Sequence, residues 1–161
     1  MATVTTRPAT DADVDAAVDV LRRSITELCR ADHRDDPESL ARWLANKTPA
    51  RLRDWLAKPT LHTIVAEREG SVCGVGMLGA DGTLHLCYVH PDHIRCGVGR
   101  QLVAALERHA RDAGLERVTL DATITAVEFY EALGYRSEGP STAGFGVARC
   151  RAYAKRLAPD S

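Results

Sequence analysis

Residues 88–102 read Tyr-Val-His-Pro-Asp-His-Ile-Arg-Cys-Gly-Val-Gly-Arg-Gln-Leu, and this stretch decides the fold. An apolar β-type run ends at His90-Pro91, a loop follows, and Gly97 and Gly99 stand directly before a strongly periodic helix. Glycines there let the backbone approach a ligand closely, while the unpaired N–H groups of the helix N-terminus face it. Such a loop suits a phosphate or pyrophosphate, with Arg95 and Arg100 adding positive charge. A tight turn into a helix, with no ligand, is the competing reading. Two familiar phosphate motifs do not fit. A P-loop ends in Gly-Lys-Ser/Thr, which is absent, and a dinucleotide fingerprint needs a third glycine where Leu102 stands.

Upstream of the loop, β-type runs at 63–67, 72–78 and 83–89 are separated by Glu69-Gly70 and Asp81-Gly82, both hairpin signals. They predict an antiparallel meander, not the parallel unit of a dinucleotide fold. Downstream, Leu102, Val103, Leu106 and Ala110 share one helical face, and Gly114 is the C-terminal stop. A strand at 117–121, a helix at 125–133 closed by Gly134, and strands at 135–137 and 147–156 complete the chain. The last two strands are joined by a Gly/Pro/Ser loop at 139–146. At the other end, 4–7 form a strand ended by Pro8. Thr10 then caps a helix, with Asp11, Asp13 and Asp15 at its positive end and an apolar stripe of Val14, Val18, Leu21, Ile25 and Leu28. Residues 29–37 read as a polar loop. Asp36-Pro37 and Thr48-Pro49 open two short helices carrying Leu40, Trp43 and Leu44, then Leu52, Trp55 and Leu56, before Pro59. Core or lid packing is the plain reading of both tryptophans. The order β-α-α-α-β-β-β-α-β-α-β-β predicts one α/β domain over residues 1–161, a mixed sheet with helices on its faces.

Composition narrows the function. The 161 residues are 45% hydrophobic and 27% charged with a net charge of −1, so no global field steers the chain to nucleic acid or an anionic membrane. Glu107, Asp112 and Glu116 interleave with the basic residues of the helix after the loop, which also argues against nucleic acid. No apolar run approaches the roughly 20 residues of a membrane span, and the N-terminus lacks the apolar core of a secretory signal. A cytoplasmic location is expected. Five cysteines, an odd number without a C-x-x-C pair, read as free thiols. His90 and His93 have no third ligand at metal spacing, so no metal is expected.

The glycine loop resembles the acetyl-CoA pyrophosphate loop of the GNAT superfamily of N-acetyltransferases, Gln/Arg-x-x-Gly-x-Gly/Ala, with Gly97 and Gly99 in the glycine positions. Ile94 stands where that family has Gln or Arg, which leaves the backbone amides between Arg95 and Arg100 to hold the anion. Ala126-Val127-Glu128-Phe129-Tyr130-Glu131-Ala132-Leu133-Gly134-Tyr135 resembles the family's Ala-x-x-Phe-Tyr-x-x-x-Gly-Phe/Tyr segment. Thr123 occupies a place where the family often has Asn. The resemblance runs from Thr63 to Tyr135 and is only architectural over Thr10 to Lys58.

That resemblance implies the GNAT fold, a mixed central sheet of about seven strands with flanking helices. It implies acetyl-CoA as co-substrate, an amine acceptor, no metal, and room for a homodimer. It also implies an acetyl-CoA site made by Tyr88 and Val89 on the fourth strand, by Arg95, Cys96, Gly97, Val98, Gly99 and Arg100 in the loop, and by Thr123 and Phe129. Main-chain groups of Cys87, Tyr88 and Val89 would pair with the pantetheine arm in a gap between the fourth and fifth strands. Tyr130 matches the family's general acid for the departing thiolate, against the plain reading of a packing tyrosine. The attacking amine must lose a proton. The family's fourth-strand Glu is missing, and His85 is the nearest ionisable group, against a histidine satisfied by the backbone. Alternation puts His85, Cys87 and Val89 on one face and Leu84, Leu86 and Tyr88 on the other. Glu67, Glu128 and His33 are lesser candidates. Cys96 is either a reactive thiol at a helix N-terminus or a small loop residue. A non-catalytic acyl-CoA-binding regulatory module on the same fold is the alternative function. The acceptor would meet residues 29–58 and 139–146, where Asp32, Asp35, Asp36 and Glu38 either greet a cationic amine or are solvated.

Overall fold

The computed structural model describes residues 2–140 and 150–158. Among these, seven strands form two antiparallel sheets: β1 (Val4–Pro8), β2 (Leu61–Arg68), β3 (Ser71–Gly79) and β4 (Leu84–Val89) in that order, and β5 (Arg117–Ala122), β6 (Arg136–Pro140) and β7 (Arg151–Arg156) with β7 in the centre. The helices are α1 (Val14–Leu28), α2 (Arg30–His33), α3 (Pro37–Leu44), α4 (Pro49–Ala57), α5 (Val98–Asp112) and α6 (Val127–Ala132). Residues 141–149, predicted as loop and strand start, lie outside the described residues, whereas Gly139 and Pro140 belong to β6.

The sheets meet at one joint. Thr83 and Thr119 form an isolated parallel bridge, and Thr119 N–H donates to Gly82 O at 3.0 Å. Only glycine suits position 82: its φ is +92°, and a Cβ would lie 2.8 Å from Arg117 O. Beyond the joint, β4 and β5 pair nowhere else among the described residues, which leaves the edges of Cys87, Tyr88 and Val89 open toward β5.

The helix after the glycine loop buries the face its periodicity predicts, with Leu102, Leu106 and Ala110 fully covered. On the other face of the first sheet, Val14, Leu21 and Leu52 pack against Val65, Val75 and Leu86. Both proline-marked caps form: the Asp36 carboxylate accepts from Ser39 N at 2.9 Å, and Thr48 Oγ1 accepts from Arg51 N at 3.2 Å. Near α1, Asp13 faces β1 as well as its own helix. It accepts from Thr10 N at 2.8 Å and takes two bonds from Arg7 at 2.7 and 2.8 Å, and the guanidinium holds its carboxyl down to about 2.

Two expectations need correction. Residues 29–37 are not simply a loop, because they contain α2, whose Asp32 and His33 are buried. Leu84 does not share a face with Leu86 and Tyr88. A register shift between Met77 and Leu78 breaks the alternation of β4, so Leu84 packs in the α5-side core with Cys87 and Val89 while Leu86 and Tyr88 face α1.

Candidate active site

The opening between β4 and β5 is a cleft of about 180 Å³. The C-terminal end of α1 closes one side with Ser24, Leu28 and Cys29, the end of β5 contributes Asp121 and Thr123, and α6 contributes Phe129 and Tyr130. His85, Cys87, Tyr88 and Val89 form the β4 wall. The structure therefore brings His85, Tyr88, Val89, Thr123, Phe129 and Tyr130 to one place, although they are spread over 46 positions in sequence.

Tyr130 is 6% exposed, its ring set edge-to-face against Phe129 at 5.0 Å and Tyr135 at 5.6 Å. Burial raises its phenol well above the ordinary range, and the neighbouring Cys87 thiol adds to the shift. It keeps its proton at neutral pH and can donate it. Burial also pushes the Cys87 and Cys29 thiols up to about 12, so both cleft cysteines are neutral and poor nucleophiles.

His85 is exposed and borders the cleft, next to Gly79, where a Cβ would come within 2.9 Å of its Nε2. The other base candidates are elsewhere. His33 is 1% exposed, its Nε2 bonded to the carbonyls of Ile25 and Thr26 and its Nδ1 accepting from Asp35 N–H, a structural histidine of the α1–α2 junction. Glu67 pairs with Arg7 on β1. Glu128 lies outside the cleft on the exposed side of α6.

The glycine loop abuts the cleft without lining it. Arg95 and Gly97 have φ of 60° and 81°, Gly97 is the N-cap of α5, and no side chain caps the first-turn amides of Val98, Gly99 and Arg100. The side chain of Val98 is in the core, so only its main chain is available. At Gly99 the close approach is to a ring of this chain: a Cβ there would lie 3.0 Å from Phe129 Cζ. Gly99 thereby couples the loop to α6. Cys96 Sγ turns back to Ile94 O at 3.4 Å.

Sequence reasoning missed two carboxylates. Asp32 is not solvated. It accepts from Ile124 N at 2.6 Å and from both the amide and hydroxyl of Thr125, fixing the turn that leads into α6 and Tyr130. No local pattern reveals a contact across 92 residues. Asp121 was legible: Val118, Leu120 and Ala122 are the buried positions of β5, so alternation turns Asp121 to the other face, into the cleft wall. The remaining acids of the 29–38 segment are occupied locally, Asp35 with Arg30, Asp36 as a cap and Glu38 with Arg42. Among the described residues no group of three His, Cys, Asp or Glu is placed to hold a metal ion, and no helix is long and apolar enough to cross a membrane.

Residues 31–151 match the acetyltransferase (GNAT) domain family. A protein of Azospirillum brasilense named IAA acetyltransferase is 31% identical over 116 residues, which is 64% of this chain and 76% of that protein. The crystal structure of a GCN5-related N-acetyltransferase from Rhodopseudomonas palustris has a TM-score of 0.87 and 27% identity over 98% of both chains. PaiA N-acetyltransferase from Thermoplasma acidophilum, solved with coenzyme A, shares the fold at a TM-score of 0.81 and 14% identity, covering 96% of this chain and 99% of that one.

Proposed function

This chain belongs to the GNAT acetyltransferase family, and from that premise we propose that its single domain moves an acetyl group from acetyl-CoA to an amine by direct attack in the β4–β5 cleft. The observation that carries the reading is Tyr130, a buried phenol that keeps its proton, at the opening of two strands that pair, among the described residues, only at Thr83 and Thr119.

The open edge of β4 offers the main-chain groups of Tyr88 and Val89 to an extended pantetheine arm, as an added strand would use them. An N–H near Val89 can polarise the thioester carbonyl. The uncapped amides from Arg95 to Arg100, including those of Cys96, Gly97, Val98 and Gly99, take the diphosphate. Phe129 and Thr123 border the arm. As the amine attacks the carbonyl carbon, the C–S bond breaks, and Tyr130 gives its proton to the leaving sulfur. A covalent acetyl-cysteine relay lacks its nucleophile, because Cys29 and Cys87 are both neutral thiols; this supports direct attack.

An alkylammonium has a pKa of about 10, so the acceptor needs a base. His85 is that base in our reading, with Asp121 on the facing wall as the second candidate. Calorimetric titration with acetyl-CoA should show binding in the absence of any amine, and CoA release should then require an amine. Tyr130→Phe should lower kcat by roughly 10²–10⁴-fold with little change in acetyl-CoA affinity. Unaltered turnover in that variant removes Tyr130 from catalysis. An acidic limb of the pH–rate profile that survives His85→Ala and disappears in Asp121→Asn transfers the base to Asp121.

A further inference from the structure

A second pocket, of about 360 Å³, lies on the α3–α4 side of β4 and shares His85 and Tyr88 with the cleft. Its walls include Trp55 and Met77, its charged groups are Lys47 and Lys58, and no Asp or Glu lines it among the described residues.

Lys47 is the unusual member. It is 5% exposed, forms no ion pair among the described residues, and meets only neutral oxygens: Asn46 Oδ1 at 2.6 Å and Trp43 O at 3.4 Å. An ammonium has three donors, and the described residues supply acceptors for two of them. Burial alone pulls this amine down to about 8, with no carboxylate to offset it, yet it remains mostly protonated at neutral pH. Its backbone is held in place, because Arg22 Nη1 donates to Leu44 O at 3.0 Å and to Lys47 O at 3.1 Å, tying the turn after α3 to α1. A buried cation that is rigidly mounted and uncompensated is costly unless an anion completes it.

We propose that this pocket is the acceptor subsite and that the acceptor is an amine carrying a carboxylate at its far end, the carboxylate received by Lys47, with the apolar middle against Trp55 and Met77. The inference rests on the acetyl-transfer reading above, since it is the shared wall of His85 and Tyr88 that would bring such an amine to the thioester. It excludes polyamines as preferred acceptors, since a second ammonium would face Lys47 and Lys58.

The test compares acceptors with one amine and two ends. 4-(Aminomethyl)benzoate should be acetylated with a kcat/KM roughly tenfold to hundredfold above that of 4-(aminomethyl)benzamide, the size of a charge-assisted bond in a buried site. In Lys47→Met the ratio should collapse to within about twofold, and Lys47→Arg should restore part of it. Binding of both compounds to the acetyl-CoA-loaded protein, followed by ligand-observed NMR, gives the same comparison without turnover. Equal binding of acid and amide, preference for a diamine such as 1,4-diaminobutane, or an unchanged ratio in a folded Lys47→Met overturns the proposal. Failure of acetyl-CoA itself to bind overturns the acetyl-transfer reading instead, and calorimetry reports that separately.

Discussion

On one side of β3, Gly74 and Gly76 draw α5 so close that a Cβ at 74 would lie 2.7 Å from Val98 Cγ1 and 2.9 Å from Leu102 Cδ1. On the other side, the first sheet borders a pocket of about 360 Å³ with a buried ammonium in its wall. The two faces divide the work. The α5 face spends its apolar stripe on close packing and locks the glycine loop to the sheet, while the α1–α4 face covers the sheet incompletely and leaves space a substrate can fill. Side chains on the first face should therefore matter for stability, and some on the second should matter for substrate choice with little effect on stability.

The largest stability loss should come from Glu107 of α5. Its carboxylate takes a 2.8 Å bond from Tyr135 and bonds of 3.1 and 3.2 Å from Lys155 of β7, joining α5 to the second sheet. Glu107→Ala should cost about 3 kcal/mol by chemical denaturation, because the partners stay behind unpaired. A loss near zero would mean that the sheets do not depend on this tie. Next, Gly74→Ala should cost about 1–3 kcal/mol by overpacking, with the midpoint of urea unfolding as the readout. A neutral result would show that Val98 and Leu102 yield easily and that the face is less tightly set than its geometry indicates.

Lys47→Met sharpens the contrast from the open face. Exchanging this buried ammonium for a thioether of similar length should leave stability at pH 7 at or above that of wild type. The pH dependence has a definite sign. The folded pKa of about 8 lies below the unfolded value of 10.5, so between them the unfolded chain binds more protons and wild-type stability gains with rising pH. The difference between wild type and Lys47→Met should narrow from pH 8 to pH 10.5 as that penalty is relieved. The smallest effect is expected at Asp13, whose folded pKa is depressed to about 2 from 3.8. The stability it contributes is complete above the unfolded value and is lost as pH falls through the folded one, so Asp13→Asn should lower stability at neutral pH, and that loss should fade as the pH falls toward 2.

Much of this architecture was legible from local pattern. The hairpin turns at Glu69-Gly70 and Asp81-Gly82, the proline-marked caps at Asp36 and Thr48, and the stripe of α5 all depend on near neighbours, and each appears close to its expected position. The loop glycines were legible as a pair but not in their separate tasks, because only the folded chain shows Gly97 in a left-handed cap and Gly99 under the Phe129 ring. The alternation of β4 failed at Leu84 because a bulge is a property of the pair β3–β4, not of either strand read alone. Asp32 and Lys47 gave no signal at all. A carboxylate in a polar segment and a lysine between two short helices look solvated until other parts of the chain bury them.

Sequence by itself determined the elements, their order and the kind of loop that precedes α5, because hydrogen bonds along a helix, turns that need glycine and the period of an apolar face are all short-range. Tertiary structure alone decided that, among the described residues, β4 and β5 meet at one bridge and then stay unpaired, that Tyr130 is buried in the gap with its phenol pushed up, and that Lys47 has no counter-ion. These are matters of distance and dielectric between groups remote in sequence, and they exist only once the chain has excluded water from between them.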